Sequence, residues 1–185
     1  AYNPATTYHG YFSPVQCYSY GSSKFTPGVA RAAAPNTCTG SDNWDGNFLN
    51  YISHNRFEIV KWVMMGGKCA PRAVNGTCYP AGKLFLESDE LVGPVDNLNG
   101  TGFTPFNSAM CFDRIGDDLT VYSAGCGGGA TTYKLNTVIA SEPQGVLQQI
   151  GDKARFGLMK FNKQTGGGSV DGGKIIAEMG SGMTS

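Results

Sequence analysis

A chain of 185 residues is long enough for one domain with a real core and large insertions, and short for two independent domains. Its 14 Lys plus Arg balance 14 Asp plus Glu, so the overall field favours neither nucleic acid nor an anionic membrane as partner. Glycine at 27 residues, charge at 15%, no Gly-X-Y period and no apolar run of membrane-spanning length point to a loop-rich extracellular protein.

Residues 1–45 form an aromatic, Gly- and Pro-rich arm in which Tyr2, Tyr8, Tyr11, Phe12, Tyr18, Tyr20 and Phe25 alternate with Pro4, Pro14 and Pro27. So many rings exclude a disordered tail. They can stack on glycans or bases, but their first use is the packing that an irregular segment otherwise lacks. No basic start and apolar stretch of a secretion signal appears in residues 1–16. The abrupt start at Ala1 and end at Met183-Thr184-Ser185 lead us to expect a fragment of a longer protein.

Trp44-Asp45-Gly46-Asn47-Phe48-Leu49-Asn50 opens the strongest periodic segment, a single core helix over 46–65 within the segment 46–67. Asp45 can accept from the first free amides, with Asn47 as a second cap if the boundary shifts. Phe48, Leu49, Ile52, Ile59, Val60 and Val63 fall on one stripe, with Asn50, His54, Glu58 and Lys61 off it. Arg56 falls on the stripe and needs a buried partner or a route to water. Gly66-Gly67 supplies the left-handed residue that ends the helix.

Residues 68–141 read as a Cys-rich insertion, decoration rather than core, with short strands at Lys83–Glu87, Leu119–Tyr122 and Tyr133–Val138. Asn75-Gly76-Thr77 and Asn99-Gly100-Thr101 match the sugar-acceptor pattern and mark exposed loops. Residues 142–185 read as a core helix-strand segment. Glu142-Pro143 opens a helical turn through Val146, Leu147 and Ile150, and Ala154–Phe161 is a buried strand. A glycine-rich hairpin or loop over 162–173 leads to a strand at Lys174–Glu178, and Gly180–Ser185 leaves the sheet.

Six cysteines, Cys17, Cys38, Cys69, Cys78, Cys111 and Cys126, form no Cys-x-x-Cys pattern, which leaves little support for zinc, thioredoxin-like or haem chemistry. Consecutive disulfides, Cys17–Cys38, Cys69–Cys78 and Cys111–Cys126, are the expectation, because each pair brackets a segment rich in turn residues. Six buried free thiols are the alternative. Loops of these lengths gain about 2–4 kcal/mol each from closure, and an oxidising compartment follows.

Other polar groups point to no chemistry. His9 and His54 are far apart in sequence, and a lone helical histidine is usually packed or on the surface. Asp113, Asp117 and Asp118, and the run Asp96-Asn97-Leu98-Asn99-Gly100, read as solvated acidic turns, since Leu98 stands where a calcium loop needs a ligand. The runs Gly125-Cys126-Gly127-Gly128-Gly129 and Gly166-Gly167-Gly168 lack the Lys-Ser or Lys-Thr step of a phosphate loop. Without a Gly-x-Ser-x-Gly elbow or a His-Glu-x-x-His, a hydrolase reading has nothing to attach to, and no enzyme activity is expected.

Three blocks carry a resemblance: Tyr8-x-Gly10-Tyr11-Phe12-x-Pro14-x-x-Cys17-Tyr18-x-Tyr20; Trp44-x-Gly46-Asn47-Phe48-Leu49-Asn50 with Gly66-Gly67-Lys68; and Asp152-Lys153-Ala154-Arg155-Phe156-Gly157-Leu158-Met159-x-Phe161-Asn162. In this order they resemble the amino-terminal part of the PilY-type, tip-associated adhesins of bacterial type IV pili. That resemblance implies an α/β fold: a von Willebrand A-like doubly wound sheet with large disulfide-braced insertions, here incomplete. It also implies a magnesium or calcium site made from an Asp-x-Ser-x-Ser loop, a Thr and an Asp. No Asp-x-Ser-x-Ser occurs here; by block order it precedes Ala1, the Thr corresponds to Thr184, and the Asp lies beyond Ser185. Thr184 reads equally as an N-cap. No cofactor is therefore expected within this segment, although the intact protein would bind magnesium or calcium. The implied function is a pilus-tip adhesin or pilus biogenesis factor at the cell surface, with minor pilins, the pilus tip, and host or abiotic surfaces as partners. The alternative is a structural subunit of an extracellular filament, packed through its aromatic arm.

Overall fold

The computed structural model describes residues 1–33, 37–41, 43–69, 83–85, 92–116, 118–138, 145–150, 153, 158–161 and 173–177. Cys78, Asn75-Gly76-Thr77, Asp117, Asp152, residues 154–157, Gly166–Gly168 and Thr184 lie outside them, and with them the expected Cys69–Cys78 bridge.

The aromatic arm is folded into the body of the protein. β1 (Gln16–Gly21) and β2 (Lys24–Ala30) make an antiparallel hairpin. Its two-residue turn, Ser22-Ser23, holds both residues left-handed at φ 51° and 57°, the twist that matches paired strands. β3 (Trp44–Asp45) then pairs with β1, setting Trp44 opposite Tyr18 and Asp45 opposite Cys17.

The expected single helix is two. α1 (Gly46–Ser53) ends at His54, which is extended, and α2 (Arg56–Met65) restarts with the Asn55 side chain accepting from the Glu58 amide. Asn55 caps one helix more favourably than it sits inside another, so the chain breaks there although the apolar period runs on. The predicted stripe therefore stops at Ile52. Val60 and Val63 are exposed, as is Arg56, while Glu58 is buried. The predicted ends are present: the Asp45 side chain accepts from the Asn47 amide, and Gly66 is left-handed at φ 78°.

β4 (Lys68–Cys69), β5 (Lys83–Phe85), β6 (Val92–Asn99), β7 (Ala109–Ile115), β8 (Asp118–Ser123), β9 (Thr131–Lys134) and β10 (Asn136–Val138) follow. Among the described residues one sheet has the order β3-β1-β2-β10-β5-β4 and another β6-β7-β8-β9. Neighbours are antiparallel except β10 and β2, where Thr137 faces Phe25 in parallel. The described strands thus form mainly antiparallel sheets, not the doubly wound parallel sheet that the resemblance implied. α3 (Val146–Ile150) precedes β11 (Leu158–Phe161), which pairs with β12 (Gly173–Ala177) in a two-stranded antiparallel sheet of their own.

The core corrects a further expectation. It joins Tyr11, Phe12, Tyr18, Phe25 and Trp44 to Phe48, Leu49 and Ile52 of α1, and these to Phe112, Leu119, Val121 and Leu135. The N-terminal segment and the described strands around Phe112, Leu119, Val121 and Leu135, within the supposed decoration, are therefore its two walls. Phe12 meets Tyr18 and Phe25 edge-on at 5.3 and 5.5 Å, and Phe25 meets Trp44 at 5.5 Å, pairs worth about 0.5–1.5 kcal/mol each beyond the area they bury.

Gly46 shows how closely the walls approach. A Cβ there would run into the Ser13 carbonyl and the Tyr18 ring. Gly46→Ala, which in an open helix would add about 1 kcal/mol, is expected to cost about 1–3 kcal/mol here. The check is a lower urea midpoint with an unchanged m value.

Candidate functional site

Asn47, Asn50 and His54, spaced by three and four, lie on one face of α1 and its exit, and this face receives the N-terminal segment. Asn47 accepts from the Tyr8 amide at 2.8 Å and donates to the Thr6 carbonyl at 2.8 Å. Asn50 accepts from the Phe12 amide at 3.0 Å and donates to the carbonyls of Tyr8 and Phe12 at 2.9 and 2.7 Å. The side chains thus satisfy a backbone with no strand partner of its own. Asn47 is not a second cap, and Asn50, read from sequence as off the buried stripe, is 1% exposed. The three-four spacing of polar residues was the signal available for both.

Beside this face, Arg31 Nε reaches Asp45 Oδ2 at 2.8 Å, and its Nη2 donates to the Tyr2 hydroxyl at 3.2 Å and the Pro4 carbonyl at 3.0 Å. Burial pushes the Asp45 carboxyl up from its ordinary range, while Arg31 and the amides of Asn47 and Phe48 pull it back. Burial and the Asp45 charge raise the Tyr2 hydroxyl, which stays a donor, to Asp45 at 3.3 Å. This is a lock on the start of the chain.

His54 is equally structural. Its Nε2 accepts from the Tyr11 amide at 3.2 Å, so a neutral ring carries its proton on Nδ1, 2.9 Å from Ser53 Oγ, which in turn donates to the Leu49 carbonyl. Burial, then the Arg114 guanidinium, push the imidazole down from 6.5 to about 3. Between those values the unfolded chain binds a proton that the folded chain refuses. Stability from this group is thus fully present above about pH 6.5 and falls as pH drops toward 3, by on the order of 2 kcal/mol for a ring that keeps some solvent contact. Urea midpoints at pH 7.5 and 4.5 check this: the difference should shrink in His54→Gln.

The remaining candidates lie on the β6-β7-β8-β9 sheet. Asp118 pairs with Lys134 across β8 and β9 at 2.6 Å, and Asp113 sits in β7 opposite Thr120, so neither belongs to an acidic turn. Asp96 Oδ1 accepts from the amides of Asn97 and Gly125, both at 2.7 Å, tying β6 to the loop after β8. The Asp96 carboxylate and the sulfurs of Cys111 and Cys126 lie within 4.8 Å of one another. Those sulfurs are joined, Cys111 to Cys126, as Cys17 is to Cys38, so neither offers a thiolate to a metal. Asn99 Oδ1 accepts from the Thr101 amide at 3.0 Å and hydroxyl at 2.7 Å in an exposed turn.

The most open feature is the disulfide-clamped loop 124–130, exposed apart from the half-buried Cys126. Gly125, Cys126, Gly128 and Gly129 are left-handed, at φ 89°, 53°, 80° and 61°. Ser123 Oγ donates to the Gly127 carbonyl at 2.9 Å and helps shape it. Among the described residues no helix is long and apolar enough to cross a membrane.

Comparison with known proteins gives this architecture a family. Residues 1–139 match the model of the PilY1 homolog small alpha/beta domain. Over 62 residues the chain is 36% identical to the type IV pilus biogenesis factor PilY1 homolog of Xylella fastidiosa strain Temecula1, a match covering 33% of this chain and 4% of that protein. No solved structure matches. Because the family match takes in both walls of the core and α1 between them, the chain belongs to the PilY1 homolog family, and residues 1–139 carry its small alpha/beta domain.

Proposed function

We propose that this chain is part of a type IV pilus biogenesis factor acting at the pilus or cell surface, and that its work is binding rather than catalysis. The observation that carries the reading is the family match over residues 1–139, together with a relative named for pilus biogenesis. A rigid two-walled core with an exposed, disulfide-clamped loop at 124–130 suits presentation of a contact surface, the arrangement in which a scaffold holds variable loops. In this reading the partners are minor pilins or the pilus tip on one side and a host or abiotic surface on the other.

The finer reading, a von Willebrand A-like region in the parent protein, rests on the resemblance carried by the three sequence blocks. Thr184 would then supply one oxygen to a magnesium or calcium ion in that protein. The burial of Phe12, Tyr18 and Phe25 in the chain's own core weighs against the filament-subunit alternative, which needs the aromatic arm for a neighbouring copy.

The test uses the full-length protein in its own cells, with residues 127–130 exchanged for an unrelated loop of equal length and Cys126 kept. Pilus number by electron microscopy should persist while surface attachment falls. Unchanged attachment, or self-association of the purified 185-residue chain, would count against the reading.

A further inference from the structure

We infer that the Cys111–Cys126 disulfide is a thiol-exchange site for a dithiol–disulfide oxidoreductase of the exported space, with Cys126 Sγ as the attacked atom and Asp96 as the residue that restrains the exchange. Both described disulfides were expected to be braces, but their settings differ. Cys17 and Cys38 are 1% and 3% exposed. In the other bridge Cys111 is fully buried, whereas Cys126 is half-buried in the exposed loop and is the more accessible end of the bridge.

Cys126 also sits at φ 53°, a left-handed conformation that burdens a residue with a Cβ, between glycines that adopt it freely. Only the disulfide obliges a side-chain-bearing residue to be there. Opening the bridge therefore relieves a local cost at Cys126, while opening Cys17–Cys38 would first require the β1–β3 region to separate.

The step is balanced. A thiolate of the partner attacks Cys126 Sγ, the Cys126–Cys111 bond breaks, and its electron pair leaves on Cys111 Sγ, which takes a proton. The partner's second thiol, deprotonated, attacks its own sulfur in the mixed disulfide. Cys126 departs as a thiolate and is protonated, and the partner leaves as a disulfide. Two electrons have passed to the chain, and loop 124–130 is then held by Ser123 and by the Asp96 contact to Gly125. The Asp96 carboxylate, within 4.8 Å of both sulfurs, opposes the incoming thiolate and the thiolates that form.

The test treats the oxidised 185-residue chain, under native conditions, with a dithiol oxidoreductase whose resolving cysteine is replaced. Acid quenching, alkylation and peptide mapping follow each cysteine separately. The mixed disulfide should form on Cys126, with Cys111 alkylated and Cys17 and Cys38 unlabelled. Asp96→Asn, which keeps the acceptor for Gly125, should speed this about three- to tenfold. A mixed disulfide on Cys111, opening of Cys17–Cys38 first or together with it, or an unchanged rate in Asp96→Asn would overturn the inference.

Discussion

Arg114→Ala is expected to lower the stability of the fold by about 3–5 kcal/mol, the largest effect of any single substitution discussed. Arg114, on β7, is 2% exposed; its Nη1 donates to the Ser53 carbonyl and its Nε to the Gly116 carbonyl at 3.2 Å. Ser53 is the last residue of α1, so the guanidinium meets the free carbonyl end of that helix, where positive charge is favoured. Burial pulls the guanidinium down from its ordinary value, and the nearby Glu58 charge holds it up. Glu58 is itself 1% exposed and paired with Lys61 at 2.9 Å. Truncation would leave the Ser53 carbonyl without its donor and the Glu58 carboxylate with Lys61 as its remaining positive neighbour. The double variant Arg114→Met, Glu58→Gln should recover much of the loss, because it removes the buried charge together with its partner. Urea unfolding decides the matter: a loss under 1 kcal/mol in Arg114→Ala would show that the carbonyl end of α1 does not depend on this side chain.

Asn50→Ala should cost about 3 kcal/mol. Three hydrogen bonds to the backbone of Tyr8 and Phe12 disappear, each worth about 1 kcal/mol, in a place where water does not readily replace them. Asn50→Asp should be no better. It keeps the acceptor for Phe12 N but turns a carboxylate toward the carbonyls that the amide had satisfied. Denaturant midpoints check both, and Phe12 should lose amide protection before Leu119 does. Equal protection of both in Asn50→Ala would contradict the role given to this side chain.

Local chemistry was legible in the sequence where one residue decides the geometry. Asp45 caps because only its carboxylate stands ahead of the first free amides, and Gly66 ends α2 because the left-handed exit excludes a Cβ. The apolar alternation around Leu119 and Val121 marked β8 in the same way. What escaped was set by distant partners. β1 and β2 hide because their turn is Ser-Ser rather than Asn-Gly, and because Pro27 interrupts β2 beyond the point where β10 pairs. β6 hides behind Pro94 and two register shifts opposite β7. The break at His54 was invisible because Ile59, Val60 and Val63 continue the apolar period of α1. Only the fold shows that Val60 and Val63 face outward while Glu58 turns in toward the charge of Arg114. Candidate sites fared alike: Asp113 and Asp118, read as parts of one turn, are divided between β7 and β8, and the sulfurs near Asp96 are bonded to each other.

Hydrogen–deuterium exchange over residues 8–30 of the purified, oxidised chain tests the central claim, that the aromatic N-terminal segment is one wall of the core. If it is, the amides of Phe12, Tyr18 and Phe25 exchange as slowly as those of Leu49 and Val121, through the same global opening. Exchange of this segment orders of magnitude faster than α1 and β8 would make it a detachable arm, and would favour the filament-subunit alternative.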